Sequence, residues 1–237
     1  MVRLLLIATL LISSTTRAEV ALSTISDLEQ GGICFGDQPD VGTAPNWAAV
    51  GFTTASVEAG IDSVRVRLND QSSGGAFTAT LHSGSDNAVG SAITEIGAGV
   101  GTMEGAQTTF DIYTLTPSSR IPLSSNTNYW IVMTSSVSAS CAMSVSAGGL
   151  DSAGSLFTYL GTRNRYDETI YDNSSAGVLQ FEISVTRDSD GDGVYDAEDA
   201  YPNDPSKWAA PVPGMPAMLL FLLAGLLGLL GVRRLKA

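Results

Sequence analysis

One histidine and two cysteines are all that 237 residues offer of the side chains most used for nucleophilic chemistry. His82 stands alone in "TLHSG", and no Gly-x-Ser-x-Gly elbow accompanies it. That favours a surface or edge-strand imidazole over a catalytic one. Basic residues are nearly as scarce: twelve Lys and Arg face twenty-four Asp and Glu. Between the two end segments, only Arg65, Arg67, Arg120, Arg163, Arg165, Arg187 and Lys207 oppose all twenty-four acids, seven against twenty-four, a net −17. So negative a surface excludes nucleic acid and docking on anionic lipid, and suits cations or neutral ligands. Helical periodicity is also missing from the body of the chain, and long apolar runs occur only at its ends.

Those ends carry their own signals. "MVRLLLIATLLISSTTRA" has a basic residue (Arg3), an apolar run over residues 4–12 and small residues up to Ala18. This is the three-part layout of a secretory signal peptide, residues 1–18, and the run is too short for a comfortable transmembrane helix. At the other end, residues 217–232 are uncharged and Leu-rich, and Arg233, Arg234 and Lys236 follow. One transmembrane helix through that run nearly crosses a thin membrane, with the basic cluster held inside and everything upstream outside. Cys34 and Cys141 are an even pair in an exported chain, which suggests one disulfide, with two buried free thiols as the alternative.

Residues 19–187 consist of short alternating runs separated by turn clusters such as "DQSSGG", "SGSDN" and "SSNTN". "SVRVRLND" puts Val64, Val66 and Leu68 on one face, and "AFTATLHS" does the same for Phe77, Ala79 and Leu81. "TTFDIYTL", "NYWIVMTS", "CAMSVSA" and "VLQFEISVTR" follow, the last alternating Leu179, Phe181, Ile183 and Val185. Period-two patterning of this kind predicts about eight strands without interleaved helices. The fold class is therefore all-β, an antiparallel β-sandwich, with a closed barrel as runner-up. Trp47, Tyr129 and Trp130 have the aromatic surface to stack on sugar rings, but core packing is the commoner use of such residues in strands. Glu58, Glu95, Glu104, Glu168 and Glu182 are scattered, as on a solvated face.

"NWAAVGFTT", "AGIDSVRVRLNDQSSGGAFTATLHSGSDNAVGSAI" and "YTLTPSSRIPLSSNTNYWIVMTSS" together resemble the choice-of-anchor R type domain of bacterial surface proteins. The resemblance covers residues 46–136, and "LSSNTNYWIVM" is its most specific piece. It implies a β-sandwich attached to a C-terminal anchor, without implying an enzymatic activity.

The densest chemistry lies in "DSDGDGVYDAEDAYPNDP", residues 188–205, where seven of eighteen residues are acidic. On a twelve-position calcium loop, Asp188, Asp190 and Asp192 take positions 1, 3 and 5. Gly193 takes the sharp turn at 6, Val194 offers its carbonyl at 7, and Asp196 and Asp199 take 9 and 12. Hard oxygens at this spacing suit Ca²⁺ better than Mg²⁺, which demands stricter octahedral geometry. The flanks exclude an EF-hand, because a strand-like run precedes the loop and Pro202 follows Asp199 too closely for an exiting helix. The stretch resembles a single thrombospondin type 3 repeat, D-x-D-x-D-G-x-x-D-x-x-D-x-x-P-x-D-P, matched at every fixed position. The resemblance implies a calcium role for the same aspartates, with Asp204 as an extra ligand.

"VPGMP", the apolar run and "RRLK" resemble the C-terminal sorting tails read by exosortase-type or rhomboid-type proteases of Gram-negative bacteria. A permanent single-span anchor is the alternative. The sequence thus describes four parts: a signal peptide (1–18), a sandwich (19–187), a calcium-binding spacer (188–211) and a sorting or transmembrane segment (212–237). The expected protein is exported and held at, or released from, the cell envelope. Its expected partners are the membrane, a sorting protease and a surface glycan or matrix component. Its expected work is non-catalytic adhesion or matrix building, with a carbohydrate-active hydrolase on a sandwich scaffold as the rival.

Overall fold

The computed structural model describes residues 18–25, 32–35, 47–70, 76–100, 111–135, 141–146, 156–166, 169–172 and 178–209. In chain order the strands begin with β1 (Glu19–Ser23), β2 (Gly32–Phe35), β3 (Trp47–Thr53), β4 (Glu58–Asp70), β5 (Ala76–Ser85), β6 (Ala88–Val100) and β7 (Asp111–Leu115). They continue with β8 (Ile121–Leu123), β9 (Asn128–Ser135), β10 (Cys141–Ser146), β11 (Thr158–Tyr166), β12 (Thr169–Asp172), β13 (Val178–Leu179) and β14 (Phe181–Asp188). No helix occurs among the described residues, so none there is long and apolar enough to cross a membrane. The expected signal helix and C-terminal transmembrane helix lie outside the described residues.

The strands form two antiparallel sheets. Eight strands belong to the first, along the path β1-β14-β4-β10-β13, with β2 on β10 and with β7 and β8 on β4. Six make the second, in the order β12-β11-β3-β9-β5-β6. β4 is the spine of the first sheet: β14 pairs with it over residues 58–66, and β10, β7 and β8 pair with other parts of it.

The alternating runs explain the core. Val64, Val66 and Leu68 from β4, and Phe181, Ile183 and Val185 from β14, are buried from the first sheet. They share one apolar cluster with Val50 and Phe52 of β3, Phe77 and Leu81 of β5, and Ile131 and Met133 of β9 in the second sheet. Each such side chain contributes about 1.5–3 kcal/mol when fully buried. Aromatic rings add direction, with Phe52 stacked on Phe157 at 5.1 Å and Phe77 edge-on to Tyr113 at 5.3 Å.

Among the described residues there are fourteen strands, where patterning marked about eight. Two of the additional ones have a physical reason to be hidden: β8 is too short to show a period, and most of β6 faces solvent; the run "VLQFEISVTR" is divided between β13 and β14. β9, marked in the sequence by "NYWIVMTS", has both its faces covered. Tyr129, Ile131 and Met133 enter the main core, while Trp130 and Val132 join Ala49 in a second cluster. Trp130 is 0% exposed, which removes it as a sugar-stacking surface. Its Nε1 donates to the Ser85 carbonyl at 3.0 Å, and the Arg163 guanidinium lies 5.6 Å from its ring centre.

β2 and β10 pair antiparallel, with Cys34 opposite Ala142 and Cys141 opposite Phe35. The side chains of those strands, and with them the expected disulfide, lie outside the described residues.

Candidate metal centre

The acidic loop begins inside the sheet. Asp188 is the last residue of β14, pairs in register with Glu58 and is only 3% exposed. Beyond it the backbone turns through two left-handed residues, Gly191 at φ 77° and Gly193 at φ 91°. A β-carbon added at either would meet no atom within 4 Å, so glycine is needed there for its backbone conformation rather than for space.

The aspartates build the loop by capturing its amides. Asp188 accepts from the Gly191 N–H through Oδ1 at 2.7 Å and from the Gly193 N–H through Oδ2 at 2.9 Å. Asp190 Oδ1 accepts from the Asp192 N–H at 3.2 Å, and Asp192 Oδ1 accepts from the Val194 N–H at 2.8 Å. This local capture is what short carboxylate side chains do in turns, and it points successive residues toward one side. One carboxylate oxygen from each of Asp188, Asp190 and Asp192 lies within 4.8 Å of the others.

The remaining predicted ligands are placed differently. Asp196 spends both oxygens on Ser189, accepting from its N–H at 2.7 Å and its hydroxyl at 2.6 Å. It closes the loop at its base, where its own N–H donates to the Arg187 carbonyl at 2.8 Å. Asp199 is 8% exposed and accepts from the Tyr201 N–H through Oδ1 at 2.8 Å. Its Oδ2 is buried without a hydrogen-bond partner, and so is Asp190 Oδ2. Val194 gives its amide to Asp192, as described. Asp204 is turned aside, bonded to the Ser206 hydroxyl at 2.6 Å and paired with Lys207.

The electrostatics of the loop are unfavourable as they stand. Burial pushes the Asp190 carboxyl above its ordinary value, and the charges of Asp192 and Asp199 push the same way. The amides of Asp192 and Asp204 pull it back. A carboxylate oxygen shut off from water without a donor is destabilising, and nearby like charges add to it. A hard cation relieves both: it supplies the missing partner and neutralises the repulsion. The donor set is all oxygen, with no sulfur or imidazole, which fits calcium chemistry.

Spacing alone pointed to the aspartates. It did not reveal that Ser189 holds Asp196. The hydroxyl between two acids in "DSD" was the available signal.

Other candidate groups are engaged elsewhere. His82 is paired through Nδ1 with the Gly90 carbonyl at 3.0 Å, and Glu182 is bound to Arg65 at 2.8 Å and to Ser23 at 3.2 Å. No family model matches the chain, and no curated protein matches it.

Proposed function

We propose that the chain is an exported, surface-anchored, non-catalytic β-sandwich protein whose acidic loop binds Ca²⁺ between the sandwich and its C-terminal anchor. The observation that carries this reading is the pair of buried, unpartnered oxygens, Asp190 Oδ2 and Asp199 Oδ2, beside the Asp188–Asp190–Asp192 cluster. Asp188, Asp190, Asp192 and Asp199 hold the ion, with the Val194 carbonyl and Asp196 completing the set expected from the spacing. Calcium supplies charge neutralisation and a fixed centre for oxygens that otherwise repel. The chain's own contribution is to pre-shape the loop through the amide bonds to Asp188, Asp190 and Asp192, leaving the ion to fix the turn that carries Asp199. The loop then stiffens the junction with the anchor, as suits an adhesion or extracellular-matrix component facing a surface glycan or matrix partner.

Calorimetric titration of the full chain in detergent tests the site. Calcium binding with a dissociation constant in the millimolar range or tighter is expected, and Asp190→Ala with Asp192→Ala abolishes it. Absence of calcium heat, or equal heat from the double variant, contradicts the proposal. Mass measurement of the C-terminus of cell-derived protein tests the sorting tail: loss of Lys236 and Ala237 supports processing, and an intact end supports a permanent span.

A further inference from the structure

We infer that Arg120 clamps the acidic loop onto the first sheet, so that the cation site and the two-sheet body form one mechanical unit. Arg120 sits just before β8, 58 residues from Asp62 and 78 from Glu198. Its Nε donates to Asp62 Oδ1 at 2.7 Å, and its Nη1 donates to Glu198 Oε1 at 2.9 Å. Its guanidinium lies 4.5 Å from the centre of the Tyr195 ring. Asp62 belongs to β4, and its second oxygen accepts from the Thr186 hydroxyl of β14 at 2.7 Å. One guanidinium thus joins β4 and, through Asp62, β14 to two residues of the loop.

Gly60 makes the room. A β-carbon there would lie 2.4 Å from both Cγ and Cδ of Arg120 and 2.7 Å from the Tyr195 hydroxyl. The aliphatic stem of Arg120 and the tip of Tyr195 therefore rest directly on the β4 backbone. Only a residue without a side chain allows that approach.

What the clamp grips also belongs to the cation site. The Tyr195 carbonyl accepts from the N–H groups of Glu198 at 2.7 Å and Asp199 at 3.0 Å. Tyr195, Glu198 and Asp199 are thereby parts of one turn. Arg120 holds the first two, and the third carries the buried, unpartnered Oδ2. Arg120 is a positioning residue: it touches no ion, but it fixes the turn that delivers Asp199. Its fork suits this task, because it can reach two carboxylates and stack on a ring at once, whereas lysine offers a single point of charge.

Two consequences follow, and only the second rests on the proposed calcium site. In the absence of metal, Arg120 holds residues 195–199 against the sheet. When calcium binds, the added order at Asp199 passes through Tyr195 and Glu198 to Arg120, and so into β4 and β8.

Hydrogen exchange read by mass spectrometry, on the full chain in detergent, tests both. In EDTA, Arg120→Gln speeds exchange over residues 195–199 on the order of tenfold, and Arg120→Lys restores part of the protection. In calcium, the unmodified chain gains protection over residues 195–199 and also over residues 58–62 and 121–123. Arg120→Gln keeps a gain in the loop, loses it in the two strand segments, and binds calcium roughly three- to tenfold more weakly. Glu198→Gln alters only the solvent side of the clamp and reports the same uncoupling should the Arg120 variants fail to fold. Equal exchange in EDTA for the unmodified chain and the variants overturns the clamp. Undiminished calcium protection of residues 58–62 in the variants overturns the coupling. If the unmodified chain gives no calcium heat, the cation site fails, and the EDTA comparison still decides the clamp.

Discussion

Replacing Asp199 by asparagine should make the protein more stable without calcium and less stable with it. Asp199 is almost wholly buried, with one oxygen satisfied by the Tyr201 amide and the other unpartnered. Asparagine keeps an acceptor for Tyr201, removes a charge felt at Asp190, and offers a donor in a cluster of acceptors. Relief of an unsatisfied buried oxygen is worth about 1–3 kcal/mol. In a domain of this size each ~1 kcal/mol moves the melting temperature by about 2–4 °C. In EDTA the Asp199→Asn variant should therefore melt at least about 2 °C above the unmodified chain. Calcium at one hundred times its dissociation constant should stabilise the unmodified chain by about 2.7 kcal/mol, roughly 5–10 °C. The variant, short of an anionic ligand, should gain only a small part of that. The two melting curves, followed by scanning calorimetry across a calcium series, should cross. A variant that melts lower than the parent in EDTA refutes the unpartnered charge, and a full calcium shift in the variant refutes Asp199 as a ligand.

Gly60→Ala drives a methyl group into the stem of Arg120, and displacing that stem costs about 1–3 kcal/mol. Chemical denaturation should show this as a lower midpoint with an unchanged slope, and no loss of stability would mean the stem moves aside freely. Gly84→Ala tests the second apolar cluster, since its methyl would lie 2.4 Å from Trp130 Cδ1 and 2.5 Å from the Ala88 carbonyl oxygen. Destabilisation of a similar ~1–3 kcal/mol is expected, with a red-shifted Trp emission; an unshifted spectrum at equal stability would contradict the close packing. The Asp204 carboxyl is held down at about 2, chiefly by Lys207 and then by the Ser206 hydroxyl and amide. Because its folded value is depressed, its contribution is complete above the ordinary carboxylate value of about 3.9 and disappears only as pH falls through about 2. Lys207→Met should return its carbon-13 NMR titration midpoint toward the ordinary range, and an unmoved midpoint would rule out Lys207 as the main cause.

Fold class and acidic loop were legible to different depths. Val64, Val66 and Leu68, Phe77 and Leu81, and Phe181, Ile183 and Val185 could be placed on a core face because a strand alternates its side chains with period two. The same rule failed for β6, where Ile93 and Val100 are exposed and only Ile96 is fully buried. An edge strand that buries little carries little pattern. β9 was marked as a strand from "NYWIVMTS", but that both its faces are buried is a fact of the tertiary structure. In the loop, the bonds that shape the turn span at most nine residues, from Asp188 to the Gly193 amide, from Ser189 to Asp196, and from the Arg187 carbonyl to the Asp196 amide. Local bonds of that kind are written in residue spacing.

The sequence by itself determined the all-β class, the inward faces of the patterned strands, and the convergence of Asp188, Asp190 and Asp192 through their own neighbouring amides. The tertiary structure alone decided that Trp130 lies in a second buried cluster, that Asp199 is buried with an oxygen left unpaired, and that Arg120 reaches both Asp62 and Glu198. Periodicity and turn chemistry act over a few residues, so the order of amino acids encodes them directly. The Arg120 contacts join residues far apart in the chain, and they exist only because β4, β8 and β14 lie side by side in one sheet.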